Sequence, residues 1–509
     1  MECDYIICGA GITGLYAAHR LSVIKPDAKI IIINNNILGG KISTQTVAVP
    51  RDRPEESYIF EGGATKFTRN HKLFNKLITD MELSHLIISY QEVGVYATRS
   101  ISRTRAYIHL SEGADKDGYF GMQPKVQIDF DINAEIRCIF RNIDQLKISI
   151  NDQLNNSLYE ILKNTIYPFI YNGYKSTYDQ LSKHNQELVK LRLVKLIHSH
   201  GMDADFMSLN GWVAINLLKQ YYLDSSIVQN KSSDKYAQYI TLNPERGGMS
   251  QLISELVKRF QNNPNITMLK LHINHIDIKD KIVKTREIQS RSFHQLREFR
   301  ATKHVIVAIP AENLREIANR NHFYDRRGNR VSSDNGIFRN ISSHPLCVIY
   351  LKIKFEDTNM LDMLSSPNRS AISLNLTDRA PSIIVTANNP IKQLIPINYE
   401  RGIYMIYCDA SCARAWGKTL NNSGEDTIVI NSEHFLQELG FKCKVEWSWT
   451  KFWPHGVYYW KPKSDPLAVS EYVIKNMNIV GSSFAINQTW IEGALATVEE
   501  FIKIKNITK

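Results

Sequence analysis

The first 40 residues place a helical pattern between two short apolar runs. Residues 5–8 form an apolar run that predicts a strand, and residues 15–24 carry helix-forming residues that end before Pro26. The β-branched run at 30–33 predicts a second strand that is buried on both faces, as in a parallel sheet. Together these segments predict one βαβ unit at the start of the chain.

The remainder of the chain changes its pattern several times. Residues 70–88 and most of 143–223 follow helical spacing, whereas 92–132 alternates between polar and apolar positions. A glycine-rich turn at 244–249 precedes a predicted helix over 251–260. Further strands are predicted over 266–283, 304–309, 346–355 and 403–407, the last two in an antiparallel sheet. The patterns predict an α/β protein in which separate segments build one nucleotide domain around an inserted second domain.

A glycine motif follows the first predicted strand. The segment Gly9-Ala10-Gly11-Ile12-Thr13-Gly14 fits the spacing G-x-G-x-x-G at the start of the first helix. Gly9 permits a tight turn, Gly11 lets the backbone approach a pyrophosphate, and Gly14 allows the helix to pack closely on the strand. The N–H groups and the positive dipole of the helix N-terminus would then face the phosphates. The motif therefore predicts a dinucleotide site.

The residue expected to hold the ribose departs from the usual pattern. In such sites an acidic side chain ends the second strand, about 20 residues after the glycines. Here that position is Asn34. An amide accepts from one hydroxyl and donates to another oxygen, so Asn34 predicts weakened rather than abolished binding.

The composition places the chain among ordinary globular proteins. Its 509 residues are 43% hydrophobic and 22% charged, which excludes disorder, collagen and coiled coil as overall descriptions. The formal net charge of +11 suits anionic ligands but does not predict a specific nucleic-acid partner. The seven cysteines lack the short paired spacings of zinc ribbons or disulfide scaffolds, so no metal site is predicted. Without a secretory signal or an apolar run of about 18 residues, we expect a cytoplasmic protein with no membrane span.

Several motifs recur in the order found in one family of flavoproteins. The opening glycines are followed by Leu38-Gly39-Gly40-Lys41 and Phe60-Glu61-Gly62-Gly63-Ala64, and later by the glycine-rich turn and the strand that ends at Pro310. Near the end, Asn478-Ile479-Val480-Gly481 precedes Gln488-Thr489-Trp490-Ile491-Glu492-Gly493-Ala494-Leu495. In this colinear order the chain resembles the flavin-containing amine oxidase superfamily, which includes monoamine, polyamine, L-amino-acid and protoporphyrinogen oxidases.

The resemblance implies a bound FAD and the residues that would hold it. The pyrophosphate would lie on the opening glycines, the ribose on Asn34, and the adenine against the backbone of Ile273. Ser482 stands where the family usually has an acid for the ribityl chain. Ser448 stands where monoamine oxidases carry the cysteine bonded to the flavin, so the expected attachment is noncovalent. The full set implied in cofactor binding is Gly9, Ala10, Gly11, Ile12, Thr13, Gly14, Asn34, Gly39, Gly40, Lys41, Gly63, Ala64, Ile273, Gly481, Ser482, Trp490, Ile491 and Ala494.

Two tryptophans are implied on the substrate side. In amine oxidases two aromatic rings guide a neutral amine to the flavin, and the matching positions are Trp449 and Trp490. We predict these two as the catalytic residues. The alternative for Trp449, as for the other tryptophans between 447 and 460, is packing in the core.

The family's active-site lysine has no counterpart at the matching position. That position falls at about Leu346, whereas Lys352 and Lys354 lie further along the same predicted strand and are expected to be exposed. His455 follows a proline and is expected in a turn.

The resemblance implies an FAD-dependent oxidase. A C–H next to nitrogen would deliver a hydride to flavin N5, and dioxygen would reoxidise the flavin and give hydrogen peroxide. The expected partners are a small-molecule substrate, such as an amine or an amino acid, and dioxygen. The missing lysine leaves a desaturase or protoporphyrinogen-type oxidase open, and more distantly a sugar mutase. The uncharged Asn34, Ser482 and Leu346 leave open a flavoprotein that binds FAD without turnover.

The resemblance also divides the chain into five segments. A Rossmann-like FAD-binding domain would be built from the discontinuous segments 1–75, 241–312 and 451–509. An inserted α+β substrate domain would supply a helical part in 76–240 and an antiparallel sheet in 313–450.

Overall fold

The structure, a computed structural model, describes most of the chain in separate ranges. These are residues 1–35, 37–48, 57–89, 105–109, 127–131, 148–161, 209–216, 239–288, 296–334, 336–356, 384–385, 390–391, 393–398, 401–438, 441–488 and 490–508. Within these ranges no helix combines the length and the apolar character needed to cross a bilayer. The same ranges contain no group of three or more His, Cys, Asp and Glu side chains arranged to hold a metal ion.

The helices and strands of these ranges are numbered in chain order. The helices are α1 (Ile12–Ile24), α2 (Lys72–Asp80), α3 (Ile150–Asn155), α4 (Leu158–Ile161), α5 (Ser250–Gln261), α6 (Ala311–Asn319), α7 (Gly336–Arg339), α8 (Ala410–Glu438), α9 (Pro466–Met477) and α10 (Ile491–Ile504). The strands are β1 (Glu2–Cys8), β2 (Ile30–Asn34), β3 (Thr44–Ala48), β4 (Ser57–Glu61), β5 (Phe67–Thr68), β6 (Ile87–Ser89), β7 (Arg105–His109), β8 (Gln127–Asp131), β9 (Tyr239–Leu242), β10 (Ile266–Asp277), β11 (Ile282–Glu287), β12 (Arg297–Val307), β13 (Phe323–Tyr324), β14 (Ile341–Phe355), β15 (Ile384–Val385), β16 (Gln393–Asn398), β17 (Ile403–Asp409) and β18 (Cys443–Trp460).

A six-stranded sheet forms the centre of the first domain. Its order is β11-β12-β1-β2-β10-β13, and β1 pairs in parallel with both β12 and β2. All five residues of β2 are buried, as expected for a strand covered on both faces. The predicted opening βαβ unit is therefore confirmed, and the later predicted strands of this sheet are β10, β11 and β12.

The last helix of the chain packs on the first. The guanidinium of Arg20 in α1 donates two hydrogen bonds to the carboxylate of Glu499 in α10, at 2.6 and 3.0 Å. The hydroxyl of Tyr16 donates to the same carboxylate at 2.6 Å. This half-buried cluster of charge-assisted bonds joins the C-terminal segment to the opening unit.

A five-stranded sheet of order β15-β16-β17-β14-β18 forms the second domain. The strand β14 pairs in antiparallel fashion with both β17 and β18, as the sequence predicts for 346–355 and 403–407. One face of this sheet packs on α8, which is interrupted at Gly424 (φ 77°) and contributes Trp416 and Leu436 to the contact on either side of that kink. The opposite face packs on the hairpin β3–β4 through Phe60.

The two predicted domain boundaries around this sheet differ from the structure. The boundary at 450/451 falls inside β18, one strand that runs from the substrate sheet to the large core at Trp460. The boundary at 312/313 falls inside α6, and the nucleotide domain continues beyond it because β13 pairs with β10. His455 lies within β18 and not in a turn, since the strand continues across it to Trp460.

Two helical predictions are also corrected or lie outside the described residues. The helix predicted over 70–88 ends at Asp80, because Glu82 has a φ of 63°, and the chain then forms the strand β6. Of the mostly helical stretch 143–223, the structure describes α3, α4 and a helical turn at 211–216. The rest of that stretch, like most of 92–132 apart from β7 and β8, lies outside the described residues.

Candidate functional site

The opening glycines form the tight turn that their spacing predicts. Gly9 has a φ of 110°, and a Cβ on it would lie 2.5 Å from the carbonyl oxygen of Ala308. A Cβ on Gly14 would lie 2.0 Å from the carbonyl oxygen of Gly9. These two positions therefore require glycine for the turn and for the close approach of α1 to the sheet.

Gly11 and Gly40 leave an open space at the start of α1. The backbones of Gly11 and Gly39 form a bridge, and a Cβ on Gly40 would lie 3.2 Å from the Cα of Gly11. A Cβ on Gly11 would meet nothing closer than the Cα of Gly40, at 3.9 Å. The N-cap Gly11 gives no side-chain cap, and the first turn of α1 carries no acid. This glycine cradle, formed by Gly11 and Gly40, has the shape and the positive helix end that a phosphate requires.

A third glycine lies beside the cradle. Val480 donates its N–H to the carbonyl of Val307, which places the segment after it at the carboxyl end of β12. Gly481 has a φ of 121°, and a Cβ on it would lie 3.6 Å from the hydroxyl of Thr13 in α1. The C-terminal motif, with Ser482 next along the chain, therefore lies against the start of α1. The structure brings together the first and last glycine motifs, as the resemblance implies.

Asn34 and Ile273 lie along the neighbouring strands. Asn34, at the end of β2 and 4% exposed, donates an amide hydrogen to the carbonyl of Leu269 at 3.3 Å. It pairs with Lys270 in β10, and Ile273 lies three residues further along β10, past the last residue of β2. Both residues therefore lie at the carboxyl edge of the parallel strands, where ligands bind in open α/β sheets.

Lys41 follows the cradle directly and is surrounded by protein. Its ammonium donates to the carbonyl of Gly456 at 2.6 Å and lies 4.4 Å from the centre of the Tyr458 ring. Burial lowers the pKa of Lys41 to about 8, and the carboxylate of Glu312 opposes that shift. Lys41 is thus a half-buried cation whose described hydrogen-bond acceptor is an uncharged carbonyl.

Tyr458 and Glu312 are site residues that the sequence did not reveal. The Tyr458 hydroxyl donates to the Glu312 carboxylate, and burial, followed by Glu312, raises the pKa of Tyr458. His455 Nδ1 lies 3.7 Å from the same carboxylate and 2.9 Å from the hydroxyl of Ser343. These residues come from α6, β14 and β18, and their grouping arises from strand pairing that no local spacing shows.

Trp490 is held at the start of the last helix. It is the N-cap of α10, and its ring centre lies 4.8 Å from that of His71 at an interplanar angle of 68°. Burial lowers the pKa of His71 to about 4, so this ring is neutral near pH 7. Two residues further on, the Glu492 carboxylate accepts the N–H groups of Leu73 and Phe74 at 3.0 and 2.9 Å. Trp490, Ile491 and the buried Ala494 are therefore anchored against the start of α2.

Trp449 belongs to a cluster of rings on the second domain. This aromatic face consists of Phe60, Tyr350, Trp447, Trp449 and Trp453. The ring centre of Trp449 lies 5.5 Å from that of Phe60 and 5.8 Å from that of Tyr350. The ring contacts described for Trp449 are with Phe60 and Tyr350, and the one described for Trp490 is with His71.

The position matching the family's lysine lies at one end of the aromatic face. Leu346 is buried there, and a Cβ added to Gly456 would lie 2.2 Å from the Cβ of Leu346. Lys352 donates to the backbone carbonyl of Arg401, and Lys354 is exposed. Neither lysine takes the place of Leu346. Lys354 is exposed as expected, whereas Lys352 is half-buried.

The segment 62–64 connects the aromatic face to the glycine cradle. The Gly62 carbonyl accepts the indole N–H of Trp453 at 2.5 Å. Ala64 donates its N–H to the Lys41 carbonyl at 2.9 Å, and a Cβ on Gly63 would lie 1.9 Å from the same oxygen. Only a short stretch of chain thus separates the aromatic rings from Lys41 and the cradle.

Glu61 fixes the start of this segment. Its carboxylate accepts the N–H of Met249 at 2.8 Å and the hydroxyl of Thr44 at 2.9 Å, which ties β4 to the glycine-rich turn. Burial raises the pKa of Glu61 to about 7, although these two hydrogen bonds act against it. The folded protein therefore binds the Glu61 proton more tightly than the unfolded chain does, so this group stabilises the fold below pH 4.5 and the stabilisation is lost as the pH rises through 7.

Glu61→Gln is expected to remove this dependence on pH. In the wild type, ionisation of Glu61 should lower the free energy of unfolding by roughly 3 kcal/mol between pH 4.5 and 7.5, whereas the variant should lack this part of the loss. Urea unfolding at both pH values measures it, with Glu446→Gln, an exposed glutamate of β18, as the matched control. Equal losses in the wild type and Glu61→Gln would contradict the assignment.

The arrangement defines a Rossmann-like dinucleotide-binding domain, and comparison with known proteins agrees. A family model described as an NAD(P)-binding Rossmann-like domain matches residues 7–80. No curated protein sequence matches the chain. Among solved structures, a cysteine mutant of putrescine oxidase made in a redesign of cofactor binding is similar over 100% of this chain and 99% of its own, with 12% identity and a TM-score of 0.60.

A second structure extends the comparison to a ligand complex. Wild-type putrescine oxidase bound to putrescine is similar over 100% of this chain and 99% of its own, with 12% identity and a TM-score of 0.56. Over its whole length the chain therefore has the fold of putrescine oxidase, which confirms the α/β fold that the resemblance implies.

Proposed function

We propose that the protein is an FAD-dependent oxidoreductase of the amine oxidase type. The observation that carries this proposal is the short connection between the glycine cradle and the aromatic face, through Lys41 and residues 62–64. A dinucleotide held at the cradle would have its phosphates at α1 and its far end toward the aromatic rings. The fold shared with putrescine oxidase supports the same assignment.

The residues present fit FAD. The cradle of Gly11 and Gly40 leaves a space for a pyrophosphate, and a side chain at Gly11 would fill that space. Lys41 supplies a half-buried positive charge next to it, and Asn34 supplies an amide for a ribose. Ile273 would meet the adenine, while Gly481, Ser482 and the start of α10 would meet the rest of the cofactor. Attachment would be noncovalent, since Ser448 carries a hydroxyl that donates to Glu425 at 2.5 Å.

The cofactor, when bound, would take a hydride at N5 from a C–H next to an amine nitrogen and pass two electrons to dioxygen, which yields an imine and hydrogen peroxide. The chain itself would orient the amine and exclude water. Apolar aromatic walls favour an unprotonated amine, because burial of an ammonium without a counter-ion is costly. The buried Leu346 has no basic group to hold a water molecule, so proton transfer would rely on the substrate nitrogen and on solvent.

Leu346 also favours one alternative. A donor that loses hydride without help from a lysine, as in a desaturase or protoporphyrinogen-type reaction, is consistent with an apolar residue at this position. Such an enzyme would still bind FAD at the same cradle, whereas it would ignore simple amines.

The test begins with the colour of the purified protein. We expect the visible absorbance of oxidised flavin, and peroxide release when a panel of amines and amino acids is added in air. A yellow protein that is silent across the panel would favour the desaturase-type alternative or a flavoprotein without turnover. A colourless protein that shows no heat of binding with added FAD would overturn the proposal.

Trp490→Ala tests the substrate-side assignment. If the indole ring guides the substrate, turnover should fall by about tenfold or more, since one positioning contact is lost. FAD content should stay within a factor of two, and Trp490→Phe should restore most of the rate. The measurements are the rate of anaerobic flavin reduction and the flavin absorbance per protein. Trp416→Phe, on the opposite face of the sheet, is the control. If Trp490→Ala instead lost bound flavin and folded protein together with activity, the ring would be assigned a role in packing the core.

A further inference from the structure

A lysine lies among the rings of the aromatic face. Lys451 lies two residues from both Trp449 and Trp453 along β18, and it pairs with Val348 of β14. Because residues two apart in a strand point to the same face, Lys451 shares the side of the sheet that carries these two tryptophans. Its Nζ lies 4.8 Å from the centre of the Trp453 ring, and its Cγ lies 3.2 Å from where a Cβ on Gly62 would be. The stem of Lys451 is therefore packed against the segment that leads to Lys41 and the cradle.

No carboxylate of the described residues forms an ion pair with Lys451. Glu61, which ends β4 next to Phe60, turns its carboxylate the other way, toward Met249 and Thr44. Lys352, two residues after Tyr350, lies at the outer end of the same side of the sheet, where its ammonium donates to the Arg401 carbonyl. The strand register also puts an acidic position, Asp409, on this side opposite Leu346, while Lys451 is the described charge beside the rings.

We propose that Lys451 binds an anionic group of the substrate, so that the substrate is an amine that also carries a carboxylate. The inference rests on the proposed function and names its substrate class. A half-buried ammonium over an indole ring forms a strong charge-assisted hydrogen bond with a carboxylate, because water competes little there. The same ammonium repels the distal charge of a diamine such as putrescine. The aromatic rings would cover the apolar part of the substrate.

The position of Lys451 along the sheet fits this role. Leu346, beside Gly456, pairs with Trp453, and Val348 pairs with Lys451. Lys451 therefore lies two residue pairs further from the Gly456 end, on the same side of the sheet. Lys41 binds the Gly456 carbonyl, which places the cofactor side at that end. A substrate lying along the face from Leu346 would reach Lys451 with its far group.

The test compares primary amines that differ in the second group they carry. Butylamine, 1,4-diaminobutane, 4-aminobutanoate and norleucine present a neutral tail, a cationic tail and two placements of a carboxylate. With the wild-type holoenzyme, we expect the better substrate of 4-aminobutanoate and norleucine to reduce the flavin with an apparent kcat/KM at least tenfold above that of butylamine or 1,4-diaminobutane. Lys451→Met, which keeps the stem, should remove this preference through KM, and Lys451→Glu should reverse it toward 1,4-diaminobutane.

The control is Lys352→Met, a lysine on the same side whose ammonium is bound to the Arg401 carbonyl. It should leave the order of substrates unchanged. Thermal unfolding of each variant distinguishes lost recognition from lost fold, and Lys451→Gln serves as a milder change should Lys451→Met unfold.

A second readout needs no turnover. Binding of benzoate and of benzylamine is followed by the change each causes in the flavin spectrum. The dissociation constant of benzoate for the wild type is expected to be at least tenfold lower than that of benzylamine, and this difference should vanish in Lys451→Met. The inference is overturned if 1,4-diaminobutane is the preferred substrate of the wild type, if Lys451→Met keeps the carboxylate preference, or if benzoate does not bind. A protein without bound flavin would overturn the proposed function, whereas flavin reduction with no preference for a carboxylate would overturn this inference alone.

Discussion

Replacing Gly11 with leucine is expected to abolish FAD binding while the protein stays folded. A Cβ at this position meets nothing closer than 3.9 Å, so the backbone tolerates a side chain. The side chain would fill the space where a pyrophosphate would lie against the N–H groups at the start of α1. Loss of two or more charge-assisted hydrogen bonds, each worth about 1.5–3 kcal/mol, corresponds to binding at least roughly 100-fold weaker.

Two other glycine variants serve as controls for this prediction. Gly14→Ala should unfold or strongly destabilise the protein, because its Cβ would lie 2.0 Å from the Gly9 carbonyl oxygen. Gly336→Ala should change nothing, because nothing lies within 4 Å of its Cβ. Calorimetric titration with FAD and thermal unfolding of each variant provide the measurements. A Gly11→Leu protein that remains yellow with unchanged affinity would show that the cradle is not the phosphate site.

The first glycine motif was predictable because its geometry is local. The tight turn at Gly9, the helix that follows and the buried strand β2 all lie within 40 residues and depend on neighbours in the sequence. The strands of the second sheet were predictable for a similar reason, since alternating apolar positions indicate a strand wherever it pairs. The sequence does not show which strands pair, so the predicted domain boundary at 450/451 falls inside the single strand β18.

The substrate side was less predictable because its contacts cross the fold. The resemblance implies a guiding role for Trp449, and the structure places that ring beside Phe60 and Tyr350. The ring next to Lys41 belongs to Tyr458, whose hydroxyl is bound by Glu312 from α6. Nothing in the spacing of residues 41, 312 and 458 connects them, since β18 and α6 bring them together only after the two domains pack.

The charge of Lys41 is expected to make FAD affinity depend on pH. In the protein without cofactor, burial lowers the pKa of Lys41 to about 8. A bound pyrophosphate would favour the ammonium form and raise that pKa, so binding takes up a proton at high pH. Affinity should therefore be constant below pH 8 and fall by about tenfold for each pH unit above it. Titrations with FAD between pH 7 and 9.5 provide the measurement.

Three variants separate Lys41 from other groups that titrate in this range. Lys41→Met should bind FAD weakly, with no fall above pH 8, and Lys41→Arg should show no fall because the guanidinium stays charged. Glu312→Gln should move the onset to lower pH, because the Glu312 carboxylate raises the pKa of Lys41. Tyr458 faces Lys41 with a phenol whose pKa burial raises, so Glu312 is the carboxylate whose charge acts on the pKa of Lys41. If the wild type and Lys41→Met lost affinity in parallel, the titrating group would lie elsewhere and Lys41 would have no part in holding the cofactor.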